Sequence, residues 1–331
     1  MRVDIYNDVE PEWWNQLIEQ SGHGSIYQTY HWNAFYREFA GYDLKFLVCH
    51  DRDSNPAGLL VVKVGAVGHL HFLERTLGAI AQALLKRAYP AHSWEYGPVL
   101  LAPREQWNAV ASALLREVRK LRGTISRFNV PLEVSSDGLE GLRGMLQVSE
   151  WGTYVIDLER SEEELWEGLK STGRKAVRRA EREGITVRTL QGEEDQIAYQ
   201  QFRDACMKRR GSRSFSVNQT TIRNRWLSQI AAEDIYVAEF EGQMISSLVI
   251  LRFGGWVHEL AAHQSQMAHD RKLYGGDMIK WEVIRRESAE GATAYDLCGV
   301  NPEPATPKEQ DIDRFKKKWG GERVLFPVFS D

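Results

Sequence analysis

Between residues 235 and 262 three runs of apolar and β-branched residues follow one another with almost no chain between them. Residues 235–240 and 244–253 are separated only by Glu241-Gly242-Gln243, and Gly254-Gly255 leads directly into 256–262. Connections this short join antiparallel neighbours, because a parallel crossover needs about a dozen residues or more. The segment reads as a three-stranded meander. A helix over 277–290 ending at Gly291 and a short buried strand at 294–298 follow it. Neither a doubly wound nucleotide fold nor a TIM barrel has this order, since both repeat regular βα units.

The first half shows a related pattern. Helices are expected over 10–21 and 32–39. A hairpin of 44–50 and 57–64 is joined through Asp51, Asp53, Ser54, Asn55 and Pro56. A strand at 94–101 interrupted by Gly97-Pro98, a helix over 104–121 and a strand at 124–130 complete it. The second half opens with a strand at 153–158, and Ser161 with Glu164 makes a capping box for the next helix. Gly173 or Gly184 is expected to interrupt that helical run. Helices over 194–210 and 219–232 and a last strand at 325–329 are also expected. The chain thus reads as a mixed α/β protein of two similar halves, 1–150 and 151–331, without a residue-level repeat. A length of 331 residues agrees, since a single core usually stops growing below about 300.

The net charge of -4, from 42 Lys and Arg against 46 Asp and Glu, hides three basic segments. Residues 170–188 hold seven basic residues against Glu181 and Glu183, and 203–213 and 314–323 each hold five against one. Lys170, Arg174 and Arg178 recur every fourth residue, a spacing that would set one basic stripe along a helix for phosphates or nucleic acid. Eleven tryptophans supply core and suit a cleft for an extended ligand. Acidic residues stand where a signal peptide needs an apolar core, and no run approaches the roughly 18 apolar residues of a membrane helix, so a cytoplasmic location is expected. Cys49, Cys206 and Cys298 lack the spacing of a disulfide framework or zinc knuckle.

Several familiar chemistries find no motif. There is no Walker loop, dinucleotide fingerprint, zincin helix or nucleophile elbow. The pairs His258 with His263 and His69 with His71 lack the further ligands of a metal site, so no metal is expected. Arg271-Lys272-Leu273-Tyr274-Gly275-Gly276 stands where acetyl-coenzyme A enzymes place their pyrophosphate loop, but the Q/R-x-x-G-x-G/A spacing is broken.

The chain resembles the FemABX-type aminoacyltransferases. The resemblance rests on Tyr27-Gln28-Thr29 followed by Trp32, Tyr96-Gly97-Pro98, Arg178 through Ile185 at a helix end, Arg209-Arg210-Gly211, Tyr295-Asp296-Leu297 and Arg314-Phe315-Lys316-Lys317, in that order. It implies two tandem GNAT-like acyltransferase domains without a coiled-coil arm, the first joined by the C-terminal segment. It implies an aminoacyl-tRNA donor and an amine on a peptidoglycan precursor or related cell-envelope acceptor, with peripheral membrane contact, no stable nucleic-acid complex and no cofactor. Lys316, after Phe315, is then the cation for the developing oxyanion, a role in which one lost donor costs about 3 kcal/mol. Asp296 and His258 are candidates for handling the amine's proton, alongside the substrate's own groups. Arg213 and Arg210 are implied to grip precursor phosphates, with Lys170, Arg174 and Arg178 as further phosphate or tRNA contacts. Two departures stand out. Asp296-Leu297-Cys298-Gly299 replaces the usual Asp-x-Gly-Gly, and Tyr36, beside Arg37, occupies a position where some members carry a phosphate-binding lysine. Two other readings fit the scaffold: an acyl-coenzyme A or acyl-carrier-dependent N-acyltransferase acting on a sugar amine or amino acid, and a non-catalytic binding protein.

Overall fold

The computed structural model describes residues 1–66, 84, 87–125, 128–130, 139–209, 211 and 217–331. The chain divides into two compact units, Met1–Trp151 with Leu325–Asp331, and Gly152–Val324.

The first unit begins with β1 (Arg2–Tyr6), α1 (Pro11–Gln20), α2 (Tyr30–Ala40), β2 (Asp43–His50) and β3 (Pro56–Ala66). It continues with β4 (Pro90–Ser93), β5 (Val99–Leu100), α3 (Trp107–Lys120), β6 (Thr124–Ile125), β7 (Phe128–Asn129) and α4 (Glu140–Arg143). Its sheet runs β1-β2-β3-β4-β6, with β5 also on β3. The expected hairpin is β2 and β3, antiparallel from Asp43 opposite Val64 onward. Val110, Leu114 and Val118 of α3 recur at helical spacing and are fully buried with Leu47, Val62 and Phe128. Burying each such side chain stabilises by about 2 kcal/mol.

β8 (Gln147–Asp157) leads into the second unit. There follow α5 (Glu162–Gly168), α6 (Ser171–Arg182), β9 (Thr186–Thr189), α7 (Gly192–Arg209), α8 (Val217–Leu227) and the meander of β10 (Glu233–Phe240), β11 (Gln243–Phe253) and β12 (Trp256–Gln264). Then come α9 (Gln266–Asp270), α10 (Gly275–Ala289), β13 (Ala294–Asp296), α11 (Pro307–Lys317) and β14 (Glu322–Ser330). The strand order is β8-β13-β12-β11-β10-β9. β10, β11 and β12 pair antiparallel as the short connections require, and β13 returns parallel to β12 after the α10 crossover. The last residues of β14 belong to the first unit, where Phe329 is fully buried and pairs with Phe128 of β7.

Some expectations need correction. Residues 94–98 are not strand, because Gly97 takes a positive φ of 146° and its N–H donates to Asn129 O at 3.0 Å. The helical run after Ser161 breaks at Leu169, not at Gly173, which lies inside α6. Gly184, left-handed at φ 74°, is what ends it. The strand expected over 294–298 stops at Asp296, since Cys298 is left-handed. β1 and α11 were not anticipated, although Thr306-Pro307-Lys308-Glu309 is a complete capping box with proline in the first turn.

The least forgiving position in the second unit is Gly320. Its φ is 82°, and a Cβ there would lie 2.4 Å from the Gly168 carbonyl oxygen, a backbone atom that cannot swing away. Gly320→Ala is expected to destabilise the protein by about 3 kcal/mol, combining overpacking with the left-handed penalty. Urea unfolding of the whole chain measures it, and a loss under about 1 kcal/mol would contradict this contact.

Candidate active site around Lys316

The site is built where α11 ends against the start of α6. Glu309 accepts from the backbone N–H of Thr306 at 2.9 Å and of Ala305 at 3.1 Å, which anchors the helix entrance and holds the Glu309 carboxyl down to about 2, through Asn301 and these Thr306 bonds. At the other end, the Lys170 N–H donates to Lys318 O at 2.9 Å, and Trp319 is buried in the core. Phe315, Lys316 and Lys318 occupy the last turn between these anchors.

Lys316 Nζ donates to the Gly299 carbonyl at 2.8 Å. Burial lowers the Lys316 pKa, opposed by the nearby negative charge of Glu259. The loop presenting that carbonyl turns through two successive left-handed residues, Cys298 at φ 52° and Gly299 at φ 46°. A left-handed non-glycine is uncommon and needs support. The Cys298 N–H donates to Asp296 Oδ1 at 2.8 Å, a local turn built on the aspartate side chain. This explains why a glycine suits position 298 in the Asp-x-Gly-Gly pattern.

Asp296 is almost wholly buried and gathers three donors: Thr153 Oγ1, the Cys298 N–H and His258 Nδ1, the last 3.1 Å away. Burial alone would raise its pKa, but the bonds from His258 and Thr153 hold it below the usual carboxylate value. An ionised Asp296 can only accept, so the proton of the facing His258 nitrogen sits on Nδ1. The donor atoms of His258, Asp296 and Cys298 lie within 4.8 Å of one another, a grouping that histidine spacing did not reveal. Burial and the Asp296 charge push the Cys298 thiol well up, so this trio is a hydrogen-bonded cluster around a neutral thiol.

Two ion pairs flank Phe315. Lys280 meets Glu259, with only 4% and 12% of their side chains exposed, and Lys318 meets Asp277. The Tyr295 hydroxyl also donates to Glu259, at 2.7 Å. Lys280 Nζ and Lys318 Nζ lie 5.1 Å and 4.2 Å from the Phe315 ring centroid, where the negative face of the ring attracts them. Lys316 therefore sits among fixed charges of both signs. An ammonium held in this way suits stabilisation of an oxyanion.

Residues 169–317 match the family described as the acetyltransferase (GNAT) domain. The crystal structure of FemX superposes on 99% of this chain and 97% of its own, with a TM-score of 0.75 at 13% identity. The chain has the FemX fold and carries a GNAT acyltransferase domain. L-PGS from Bacillus licheniformis is similar with a TM-score of 0.59 at 13% identity, over 97% of this chain and 91% of that one. A tandem GNAT protein from the clavulanic acid biosynthesis pathway gives 0.54 at 12% identity, over 99% and 98%. Together these bear out the two-domain GNAT-like fold. No curated protein matches the chain in sequence.

Within the GNAT domain, the structure gathers Lys316, Phe315, Asp296 and His258 in one neighbourhood. The expected basic stripe is not a continuous open face. Lys170 is the N-cap of α6, and Arg174 turns onto the carbonyls of Trp166, Glu167 and Leu169, closing the end of α5. Arg178 lies over the Trp166 ring, beside Glu162, Glu163 and Glu181. In the first unit, Arg37 is bonded to the Tyr30 hydroxyl at 2.8 Å and to Asp8 at 3.3 Å, and Tyr36 packs over Lys63. Arg210, Arg213, His69 and His71 lie outside the described residues.

Sequence reasoning misses Lys280, Glu259 and Asp277, gives Tyr295 no role beyond its place in the family pattern, and reads Lys318 as a solvent or tRNA-backbone contact, whereas it pairs with Asp277. One signal was present: Lys280 interrupts an apolar face formed by Ile279, Val283 and Ile284, and a lysine there needs a buried partner. Breaking the pair from one side should cost more than removing it. Glu259→Leu is expected to destabilise by about 3–5 kcal/mol, whereas Lys280→Met combined with Glu259→Leu should recover most of that loss. Denaturant unfolding of the two single variants and the double variant gives the coupling, and simple additivity would show that the pair is not a desolvated unit.

Proposed function

We propose that this protein is an aminoacyltransferase that moves an aminoacyl group from aminoacyl-tRNA to an amine of a peptidoglycan precursor or related cell-envelope acceptor. The observation that carries the proposal is Lys316, half-buried at the end of α11, bonded to the Gly299 carbonyl and lowered in pKa by burial. The FemX fold and the likeness to L-PGS and to the C-terminal domain of a putative lysylphosphatidylglycerol synthetase from Agrobacterium fabrum support the aminoacyl donor and the envelope acceptor. Among the described residues no helix is long and apolar enough to cross a membrane, and peripheral contact remains part of the proposal.

The amine's lone pair attacks the ester carbon of the charged tRNA. The carbonyl π pair moves onto oxygen, where the Lys316 ammonium stabilises it, and its return breaks the carbon–oxygen bond to the ribose. The proton lost by the amine ends on the ribose hydroxyl, through the substrate's own groups or through His258, whose ring Asp296 holds in one orientation. Phe315 and the flanking ion pairs position Lys316 rather than react. A coenzyme A donor is the less favoured alternative, because α10 already has the Asp277 carboxylate, paired with Lys318, in the first turn where a pyrophosphate would be bound.

Incubation with tRNAs carrying radiolabelled amino acids and a panel of muropeptide acceptors should move label to the acceptor, while acetyl-coenzyme A should not acetylate the same acceptors. Failure of transfer from every aminoacyl-tRNA would reject the reading.

Lys316→Met should lower kcat by about 10²–10³-fold, the usual loss on removing one oxyanion donor, with KM little changed. The required state of Lys316 is the ammonium, so activity should fall as pH rises through its pKa, and at a lower pH than an ordinary lysine would give. In Lys316→Arg that alkaline limb should move upward, because a guanidinium stays charged. A pH–rate profile unchanged by Lys316→Arg would remove Lys316 from this role.

A further inference from the structure

Cys298 holds a backbone conformation that a glycine would take without strain. Its φ is 52°, in the left-handed region that a residue with a Cβ seldom adopts. Outliers of this kind collect at functional sites, where the surrounding structure holds them in place. Here the turn sets Cys298 Sγ 3.5 Å from Asp296 Oδ2, the same oxygen that faces His258 Nδ1 at 3.1 Å.

The three groups are held by rigid elements. β12 and β13 pair in parallel with His258 opposite Asp296, and β8, on the other side of β13, brings in Thr153. Trp256 stacks against the His258 ring, with planes inclined by 17°. The two oxygens of Asp296 have separate tasks. Oδ1 accepts from Thr153 Oγ1 and from the Cys298 N–H at 2.8 Å, which fixes the carboxylate and leaves Oδ2 to the imidazole and the thiol. Outer hydrogen bonds orient a metal-binding carboxylate in this way, holding one oxygen and offering the other.

Distance and donor type narrow the ion. In a tetrahedral zinc site, bonds of about 2.0 Å to nitrogen and oxygen and about 2.3 Å to sulfur put neighbouring ligand atoms roughly 3.3–3.6 Å apart. The imidazole–carboxylate and thiol–carboxylate edges, 3.1 Å and 3.5 Å, are close to that, and all three ligand atoms lie within 4.8 Å of one another. Magnesium and calcium favour sites made of oxygen, whereas imidazole with thiolate favours zinc. Asp296 and His258 are buried, but Cys298 is half-buried and Gly299 exposed, so an ion can enter from that side and keep a water as its fourth ligand. We propose that His258 Nδ1, Asp296 Oδ2 and Cys298 Sγ form a zinc-binding site. Each atom forms one bond to the ion. The thiol proton leaves to solvent and the imidazole proton shifts from Nδ1 to Nε2, with no change of oxidation state. The site therefore gains one positive charge rather than two, which limits repulsion from the Lys316 ammonium on the neighbouring Gly299 carbonyl. A ring bonded to zinc through Nδ1 no longer donates to Asp296, so the ion-bound form is an alternative to the hydrogen-bonded one. The proposal concerns binding alone and does not depend on acyl transfer.

The test takes the full chain, untagged and stripped of metal with a chelator, and titrates it with Co²⁺ as a spectroscopic stand-in and then with Zn²⁺, with Mg²⁺ in parallel. The expected result is saturable binding of one Co²⁺ per chain, with a thiolate-to-cobalt charge-transfer band and release of one proton, reversed by an equivalent of Zn²⁺ and not by Mg²⁺. Cys298→Gly removes the sulfur and relieves the backbone. It should abolish the charge-transfer band and weaken zinc binding by about a hundredfold or more, and Thr153→Val should weaken it about tenfold by freeing the carboxylate. Cys298→Ser replaces Cys298→Gly if circular dichroism shows that variant unfolded. The proposal is overturned if cobalt does not bind saturably, if no charge-transfer band forms, or if the band or the zinc affinity survives removal of the Cys298 sulfur.

Discussion

At Gly320 and Gly321 the chain passes so close to the end of α5 and to β8 that it has no room for a Cβ. At Gly320 the obstacle is the Gly168 carbonyl, and at Gly321 a Cβ would lie 2.8 Å from the carbonyl oxygen of Val155. The Lys170 to Lys318 backbone bond and buried Trp319 fasten the same stretch. Everything that makes Lys316 a candidate follows from this close approach. It fixes the C-terminal end of α11, brings Phe315 between two lysines, and sets Lys316 Nζ on the carbonyl of a left-handed loop. A lysine on a free helix end would be a hydrated surface charge.

The same economy governs charge. Many of the basic residues that cluster in the sequence are internal fasteners. Arg174 closes the end of α5, Arg188 bridges Asp195 and Glu239, buried Arg203 bonds to Thr220, and Lys318 pairs with Asp277. A guanidinium committed to carbonyls and carboxylates of its own chain is not an open phosphate site. A basic run of sequence measures proximity along the chain, whereas binding depends on which charges are left facing outward. The buried lysines show the converse. Lys63 and Lys280 lie far apart in sequence and outside every basic run, yet each is buried, paired with a glutamate and beside an aromatic ring.

Much of the fold was legible because it rests on local rules. The meander follows from connections too short for anything but antiparallel pairing, and the Ser161 capping box from a four-residue pattern. Where local reading failed, the deciding partner was distant. Residues 94–98 have strand composition, but their backbone makes only an isolated bridge, Tyr96 with the distant Asn129, and no ladder. Helix α11 also follows a local rule, the capping box of Thr306 and Glu309 just before its basic run. The candidate site was half legible. Lys316, Phe315 and Asp296 stand in a family pattern, while Glu259 and Lys280 become part of the site only through a pairing across 21 residues, and Tyr295, though in the pattern, reaches Glu259 across 36.

The amino-acid sequence by itself determined the secondary-structure alphabet, the antiparallel meander of the second unit and the residues able to act as a cation or hold a proton. Periodicity, turn chemistry and side-chain type are properties of short segments. Tertiary structure alone decided which charges are spent inside the molecule, which lysine stands among fixed ion pairs, and where three tyrosines meet the buried Lys63 and its half-buried partner Glu95. Desolvation and electrostatic pairing depend on distance in space, and the chain brings remote residues together only when its strands and helices have packed.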